Sequence, residues 1–488
     1  MAIPIDLERF FSPDDIKGAY ARYKAAKTDR FRKDKIGIPM GADGVRWWDF
    51  ERQLDRNARN ISRRVLNSSY QFYPFRERDL GKPGGGVRTL SIAGVRDALV
   101  QHQLYEALYE SAEAMFAQPK LEDVSFAYRK GKSAPQAACR IWQAYSRDGY
   151  GYALDADISK FFDTLDHGRL MQLVDAWVGR GTTAGIMLWR YIRTDRVPHK
   201  SYPHDAGWER YFMKKKPHRE PRRQGVPQGG VLSGMIANLY LHEFDLWVLQ
   251  ELSRQFDVRY FRYADDFVVL THTEKDARDL FPPVAQTLGG TFRLKIHPLG
   301  DSLDSKTKVS VIADGDLTFV GFQFTQDRVR AKPENVRRFK TRFVTALHKE
   351  PSLDSRYRHW TVRLRLTIDW CVNPKIQGPP PRLCAACGLP KDRRRSWMAF
   401  FATAVTDEDQ LRQLDRWMRR QVSKYFRDKY RVRLGRKELR EAGMKTLVGE
   451  HYRAREAAEQ LCQCERAPGS AKQPASGPLP GLPARSAQ

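Results

Sequence analysis

The sequence predicts an α+β protein, with strands and helices interleaved in its first part and helices alone after them. Three observations predict it. Residues Tyr150 to Ile158 alternate in character: Tyr152, Leu154, Ala156 and Ile158 fall on one face, Asp155 and Asp157 on the other, as in a strand. Two apolar and aromatic runs, one leading from Val258 to Phe261 and one from Phe267 to Leu270, flank Tyr263-Ala264-Asp265-Asp266 and predict a strand pair. Beyond Lys332-Pro333 the apolar residues recur at helical spacing instead, at Val336, Phe339, Phe343 and Leu347.

The elements follow in order. Ser12-Pro13-Asp14-Asp15 supplies an N-cap, a proline for the first helical position and acids for the first turn, so a helix is expected over 12–35. Tyr70 to Ile92 reads as strands around the glycine-rich turn Lys82-Pro83-Gly84-Gly85-Gly86-Val87-Arg88, and 95–118 reads as a helix. A further apolar strand set is expected from Lys308 to Phe324. Arg337, Arg338, Lys340 and Arg342 decorate the helix after Pro333. Thr406-x-x-Asp409 reads as a capping box before a second such helix. Its apolar face is Leu411, Leu414, Met418, Val422 and Tyr425, and its basic residues are Arg412, Arg416, Arg419, Arg420 and Lys424. Ala467 to Gln488 is rich in Pro, Gly, Ser and Ala and is expected to be disordered.

Composition narrows the partners. Across 488 residues, 85 Lys and Arg face 58 Asp and Glu, a net charge of +27. Such an excess favours contact with a polyanion, since neutralised phosphates release condensed counterions. A ribosomal-type or membrane-surface protein stays open on charge alone. The opening Met1-Ala-Ile-Pro-Ile-Asp6 has no basic region followed by an apolar core, and no apolar run is long enough to span a bilayer. Six cysteines without regular spacing argue for a reducing compartment. The expectation is a cytoplasmic protein without membrane contact.

Two acidic loci carry the chemistry: Asp157 on a strand, and Asp265-Asp266 at a hairpin turn. Adjacent carboxylates repel unless a cation lies between them. Hard oxygen ligands suit Mg²⁺, which adds substrate phosphates to a few carboxylates. Two such ions, roughly 4 Å apart, clamp the attacking and leaving oxygens of a phosphoryl transfer. A plain polar hairpin turn explains Asp265-Asp266 equally well when the pair is taken alone.

Longer stretches around these acids carry a resemblance. The chain reads Leu154-Asp-Ala-Asp-Ile-Ser-Lys-Phe-Phe-Asp-Thr-Leu-Asp-His167, then Gly225-Val-Pro-Gln-Gly-Gly-Val-Leu-Ser-Gly-Met-Ile-Ala-Asn-Leu-Tyr-Leu241. Tyr263-Ala-Asp-Asp266, Ser305-Lys-Thr-Lys308 and Phe319-Val-Gly-Phe322 follow, and Gly41-Ala-Asp-Gly-Val45 and Lys82-Pro-Gly-Gly-Gly-Val-Arg88 precede. In this order the blocks resemble the prokaryotic reverse transcriptases of the group II intron-like kind, firmly over residues 40 to 325 and loosely to about residue 455.

The resemblance implies an α+β right-hand polymerase. Its parts would be an N-terminal helical extension (1–40), fingers (41–150) and a palm of antiparallel sheet with helices (151–330, part of the fingers lying near 171–225). An α-helical thumb (331–455, with an insertion near 373–395) and a disordered tail (456–488) would complete it. The implied activity is RNA-directed DNA synthesis by two-metal nucleotidyl transfer. Asp157, Asp265 and Asp266 would be catalytic and hold Mg²⁺, with Mn²⁺ as a substitute and the Ile158 carbonyl as an extra ligand; Asp155 would be a neighbour. Phe162 would be the gate beneath the sugar 2′ position. Lys82, Arg88 and Arg129 would hold the triphosphate, Gln228 would lie against the sugar and template pair, and Lys306 would serve near the leaving pyrophosphate. The block Ser125-Phe-Ala-Tyr-Arg129 departs from the family's Gly-Phe-Arg, and Ser233-Gly234 stands where the family commonly has Ser-Pro.

Beyond these blocks, Arg416, Arg419 and Arg420 are candidates for nucleic-acid contact, as is the basic loop Lys214-Lys-Lys216 with Arg219 to Arg223. Cys384-Ala-Ala-Cys387 is half a zinc site that Cys462-Gln-Cys464 could complete; the spacing matches no zinc module and zinc is not expected. Thr367-Ile-Asp-Trp-Cys371 stands in place of the family's Gly-Trp-x-x-Tyr-Phe block. No His-Asn-His nuclease block and no fused integrase or protease is found. This departs from a complete mobile-intron protein and suits a domesticated reverse transcriptase, such as those of antiphage defence. The implied partners are an RNA template, in particular a dedicated non-coding RNA, dNTPs and the DNA product, with the oligomeric state open. An RNA-templated RNA polymerase and an RNA-binding maturase or scaffold are the alternatives, and Phe162 speaks against the former.

Overall fold

Ten strands form three sheets among the residues that the computed structural model describes, namely 5–28, 34–81, 85–118, 120–205, 207–214, 217–302, 304–349, 359–379, 381, 383–384, 387–390 and 395–459. In chain order the strands are β1 (Phe75–Gly81), β2 (Val87–Ile92), β3 (Tyr152–Asp157), β4 (Arg196–Val197), β5 (Arg259–Tyr263) and β6 (Asp266–Thr271). After them come β7 (Lys308–Val311), β8 (Thr318–Phe319), β9 (Phe322–Phe324) and β10 (Val329–Ala331). The sheets run β2-β1-β4, β5-β6-β3-β7 and β10-β9-β8. The run from Lys308 to Phe324 is therefore divided: β7 joins the acid-bearing strands, while β8 and β9 belong to a sheet of their own.

The chain separates into two compact units, one of Met1–Lys132, Leu154–Thr271 and Lys275–Val309, the other of Ser133–Ala153, His272–Glu274 and Ser310–Gln488. In the first unit, β1 and β2 are an antiparallel hairpin whose register sets Leu80 opposite Arg88. The helix Val95–Phe116 matches its sequence expectation within two residues. The first helix is shorter than expected. Ser12 caps it, its hydroxyl accepting from the Asp15 N–H at 3.1 Å, and Pro13 opens it. It stops at Lys27, where Thr28 turns extended and its hydroxyl donates to the Lys24 carbonyl at 2.8 Å. A β-branched residue that satisfies a terminal carbonyl in this way competes with helix propagation.

The core of this unit gathers Leu104 and Leu108 with Leu154, Ala156 and Ile158 of the β3 segment, Ile236, Tyr240 and Phe244 of the helix Ser233–Trp247, and Phe267 and Val269 of β6. β6 is buried at every position except its first, Asp266. A strand covered on both faces has no packing reason to begin with an exposed carboxylate, so that residue marks a point where the sheet meets solvent.

In the second unit, the helix Pro333–Leu347 buries Phe339, Phe343 and Leu347, and the helix Glu408–Tyr430 buries its whole expected apolar face. The latter is capped one residue later than expected. The Asp407 carboxylate accepts from the Gln410 N–H at 3.0 Å, while the Thr406 hydroxyl accepts from the Val329 N–H at 2.9 Å. Thr406 is thus occupied with β10 and Asp407 takes the cap. Asp407 also pairs with Arg330 at 2.5 Å. The segment Thr367 to Cys371 continues the helix Trp360–Thr367 through a π-helical turn at Ile368–Val372, which buries Ile368, Cys371 and Val372. The Gly388 N–H donates to the Cys384 carbonyl at 2.9 Å; Cys462 and Cys464 lie outside the described residues. No helix among the described residues is long and apolar enough to cross a membrane.

Candidate active site

β3 carries Asp157 to its C-terminal end, half-buried, between the buried Ala156 and Ile158. The chain beyond it is stitched to 295–297: the Ser159 N–H donates to the Lys295 carbonyl at 2.7 Å and the His297 N–H to the Asp157 carbonyl at 3.2 Å. The Asp157 N–H donates to the Thr307 hydroxyl at 3.4 Å. The carboxylate faces two groups. Lys306 Nζ stands 3.2 Å from Asp157 Oδ2, and His297 Nε2 3.5 Å from the same oxygen. The Lys306 ammonium also reaches His297 Nε2 at 3.2 Å. Lys306 is therefore engaged at the acid, not simply solvated.

The other two acids sit on the neighbouring strand's hairpin. Tyr263 pairs with Asp266, which leaves Ala264 and Asp265 as a two-residue turn. Ala264 has φ +61°, a left-handed value that a side chain disfavours. Turns that carry positive φ at their first central position usually place glycine there, so an alanine needs support from outside. Arg262 gives it. Its buried guanidinium donates to the Ala264 carbonyl at 3.1 Å and to Asn238 Oδ1 at 3.0 Å. It also donates to both oxygens of buried Asp245, at 2.8 and 2.5 Å. Asn238 in turn donates to the Ala127 carbonyl at 2.8 Å. One buried polar cluster thus holds the acidic turn and the 125–129 loop together. Sequence reading missed all three residues. The available signal was Asn238 and Asp245 inside the largely apolar helix Ser233–Trp247, since buried polar groups in such a place need partners.

Phe162 lies on the single turn Phe161–Thr164, edge-on to Phe161 at 5.4 Å between centroids. That turn is laced to the loop before the long helix. The Val226 N–H donates to the Phe162 carbonyl and the Gly225 N–H to the Leu165 carbonyl, both at 2.8 Å. Gly225 has φ +73°, and a Cβ there would come within 2.6 Å of the Phe162 and Asp163 carbonyls, so only glycine fits. Gln228 Nε2 lies 3.3 Å from both Asp163 oxygens, while its backbone carbonyl accepts from the Ser91 N–H of β2 at 2.8 Å. Gln228 therefore joins the β1–β2 hairpin to the Phe162 turn.

Arg88 is exposed on β2; Lys82 lies outside the described residues. Arg129 is engaged within its own loop and with the preceding helix. Its guanidinium is buried, paired with Glu113 at 2.6 Å, and donates to the Ser125 carbonyl at 2.8 Å. An arginine so saturated braces its loop and has no donor to spare for a triphosphate. In the basic loop, Arg222 is likewise buried against Glu77 at 3.2 Å. In the second unit, Arg416 and Arg420 are exposed and Arg419 partly so, opposite the buried face of their helix.

Among the described residues, no three carboxylate, imidazole or thiol groups form a cluster that would by itself enclose a metal ion. The donor chemistry nevertheless fits Mg²⁺, which takes one or two protein carboxylates and fills its shell with water and phosphate. Asp157 already has the Lys306 ammonium within reach, so cationic charge is accommodated at that carboxylate.

Sequence comparison identifies the class. A family model for reverse transcriptase (RNA-dependent DNA polymerase) matches residues 80–323, half of the chain. The chain belongs to the reverse transcriptase family, a family of RNA-directed DNA polymerases that use divalent metal ions. Among particular proteins, it is similar to YkfC of Escherichia coli (strain K12), with 24% identity over 59% of this chain and 77% of that one. It is also similar to the group II intron-encoded protein LtrA of Lactococcus lactis subsp. cremoris, with 27% identity over 42% of this chain. The match spans only 30% of LtrA's length. A chain of a partial Cas6-RT-Cas1–Cas2 complex matches with 18% identity and a TM-score of 0.32, over 58% of this chain and 42% of that one.

Proposed function

We propose that the protein synthesises DNA on an RNA template by nucleotidyl transfer, at a site formed by Asp157, Asp265 and Asp266. One observation carries this reading: two neighbouring strands of one sheet, β3 and β6, each present a solvent-reachable acid at one end, inside the segment matched by the family. The three carboxylates, with the Ile158 carbonyl beside them, would hold two divalent cations, Mg²⁺ or Mn²⁺ in its place. When bound, such ions neutralise the charge that develops on the transferring phosphoryl group. The chain's own residues do the remainder. Arg88, with Lys82, neutralises the triphosphate from the glycine-rich hairpin. Phe162 excludes the 2′-hydroxyl by shape. Lys306, placed by His297 and Asp157, is the group that would release a proton to the departing pyrophosphate. Arg129 joins this set only by anchoring the loop that precedes it.

The substrates are dNTPs and an RNA template, which a dedicated non-coding RNA would provide, and the setting is a bacterial defence or retroelement-derived system. Arg416, Arg419 and Arg420 would lie along the duplex. Fingers over 41–150, palm over 151–330 and thumb over 331–455 remain the proposed functional division. The test is primer extension on RNA with Mg²⁺ and dNTPs, wild type against Asp265→Asn. The variant keeps the shape and loses the charge. Incorporation should fall by several orders of magnitude with RNA binding retained; near-normal synthesis would remove the assignment.

A further inference from the structure

Tyr128 has a conformation that packing alone does not require. Its backbone is left-handed, with φ +59°, and its side chain is 47% exposed, yet both flanks are fixed. On one side the Ala127 carbonyl accepts from Asn238, and on the other the buried Arg129 guanidinium holds the Ser125 carbonyl. The ring lies on Gly234, in the first turn of the helix Ser233–Trp247. A Cβ at Gly234 would come 2.3 Å from Tyr128 Cγ and 2.8 Å from its Cβ. Those atoms are the root of the side chain, which cannot swing away as a flexible tip would. Glycine at 234 is therefore what admits the ring. From that seat Tyr128 meets Phe162 edge-on, with centroids 6.2 Å apart and planes at 89°. Phe161 contacts Phe162 from the core at 5.4 Å. Burial, and next the charge of Asp265, raise the Tyr128 phenol above its ordinary range, while Arg88 pulls it back. The ring thus stands among the acidic turn, the cationic hairpin and Phe162.

We infer that Tyr128 is a specificity-determining residue that acts through Phe162: it closes the side to which the gate ring would otherwise swing, and Gly234 makes room for it. This rests on the reading of Phe162 as the sugar gate. A steric gate discriminates only as well as its ring is held, since a hydroxyl adds little more than an ångström of reach. With Phe161 behind it and Tyr128 beside it, Phe162 has no free direction toward the 125–129 loop. Tyr128 needs no contact with the nucleotide to set the ratio of deoxynucleotide to ribonucleotide use.

The test is single-nucleotide extension of one primed RNA template with a dNTP or the matching rNTP, read as the ratio of the two efficiencies. Tyr128→Ala should lower that ratio by about three- to tenfold, the range that an edge-to-face aromatic contact spans. Tyr128→Phe, which keeps the ring edge, should retain it. Gly234→Ala, which displaces the ring without removing it, should lower it in the same direction and keeps the test decisive should Tyr128→Ala fold poorly. In a Phe162→Ala background, Tyr128→Ala should change the ratio no further. If Phe162→Ala itself leaves the ratio unmoved, the gate reading falls and this inference with it. If Phe162→Ala relaxes the ratio while Tyr128→Ala and Gly234→Ala do not, the gate stands and the role of Tyr128 is overturned.

Discussion

Asp245→Ala removes the counter-charge of a buried arginine that also holds the acidic turn, so its cost can be worked from the contacts. Arg262 is fully buried and gives two hydrogen bonds to Asp245, one to Asn238 and one to the Ala264 carbonyl. The Tyr260 hydroxyl donates to Asp245 as well, at 2.9 Å. Breaking one partner of a buried pair typically costs about 3–5 kcal/mol, because the remaining charge stays desolvated. Against a usual stability of roughly 5–15 kcal/mol that is a large share. At about 2–4 °C per kcal/mol for a unit of a few hundred residues, Tm should fall by roughly 6–20 °C. The paired replacement Arg262→Leu with Asp245→Leu removes both charges and should recover part of that loss. A deficit of about 1–3 kcal/mol should remain, from the Tyr260 hydroxyl left without an acceptor. The paired variant nevertheless leaves the Ala264 carbonyl without its donor. Single-nucleotide extension, assayed well below both melting temperatures, should then stay at least about tenfold below wild type, the equivalent of ~1.4 kcal/mol of lost positioning. A paired variant that is stable and extends primers as wild type does would refute the idea that Arg262 holds the turn in its working geometry.

Three further outcomes are expected. Phe162→Ala should raise ribonucleotide incorporation markedly and leave deoxynucleotide incorporation within about tenfold, or ~1.4 kcal/mol of barrier; parallel loss of both substrates in the same extension assay would make Phe162 a packing residue. Changing Arg416, Arg419 and Arg420 together to Ala should weaken binding to every nucleic-acid sequence alike and flatten the plot of log affinity against log salt by roughly 2–3 units. An unchanged slope would mean that this helix face is only solvated. Asp43 predicts a pH effect. Burial, and next the charge of Asp97, push its carboxyl up to about 6. A folded value above the unfolded one means that the native state binds the proton more tightly. The stability this contributes is complete below about pH 4 and is lost as pH rises through about 6, roughly 3 kcal/mol in all. Asp43→Asn should flatten urea midpoints measured across that interval.

The placement of the acids at a strand end and at a hairpin was legible in the sequence because each sits in a run whose spacing is set by local structure, whereas the roles read for Phe162 and Gln228 came from the family resemblance alone. Asp157 ends an alternating strand, Asp265 lies in the turn between two strands and Asp266 opens the second of them, and Gly225, where a Cβ would not fit, precedes Gln228 in its loop. What was not legible depends on partners far along the chain. Arg129 is surrounded by Glu113, Glu122 and Ser125, and nothing in its own block announces a glutamate on the preceding helix. Asn238 and Asp245 stand out as polar residues in a largely apolar helix, but that Arg262 is their partner shows only in the folded cluster. The helix cap moved from Thr406 to Asp407 because β10, some 77 residues earlier, claims the threonine hydroxyl. Local rules rank the cap candidates and tertiary contacts decide among them.

The left-handed alanine at 264 bears on when this site comes into being during folding. A hairpin with glycine at that position could close by itself, on the microsecond scale of isolated hairpins. With alanine, closure is opposed by about 1–2 kcal/mol until something outside the hairpin supplies compensation. That compensation is Arg262, and Arg262 can be buried only once Asp245 and Asn238 on the helix Ser233–Trp247 are in place. The acidic turn therefore depends on helix-on-sheet docking for its native conformation, and the β5–β6 hairpin alone does not supply what holds Ala264 left-handed.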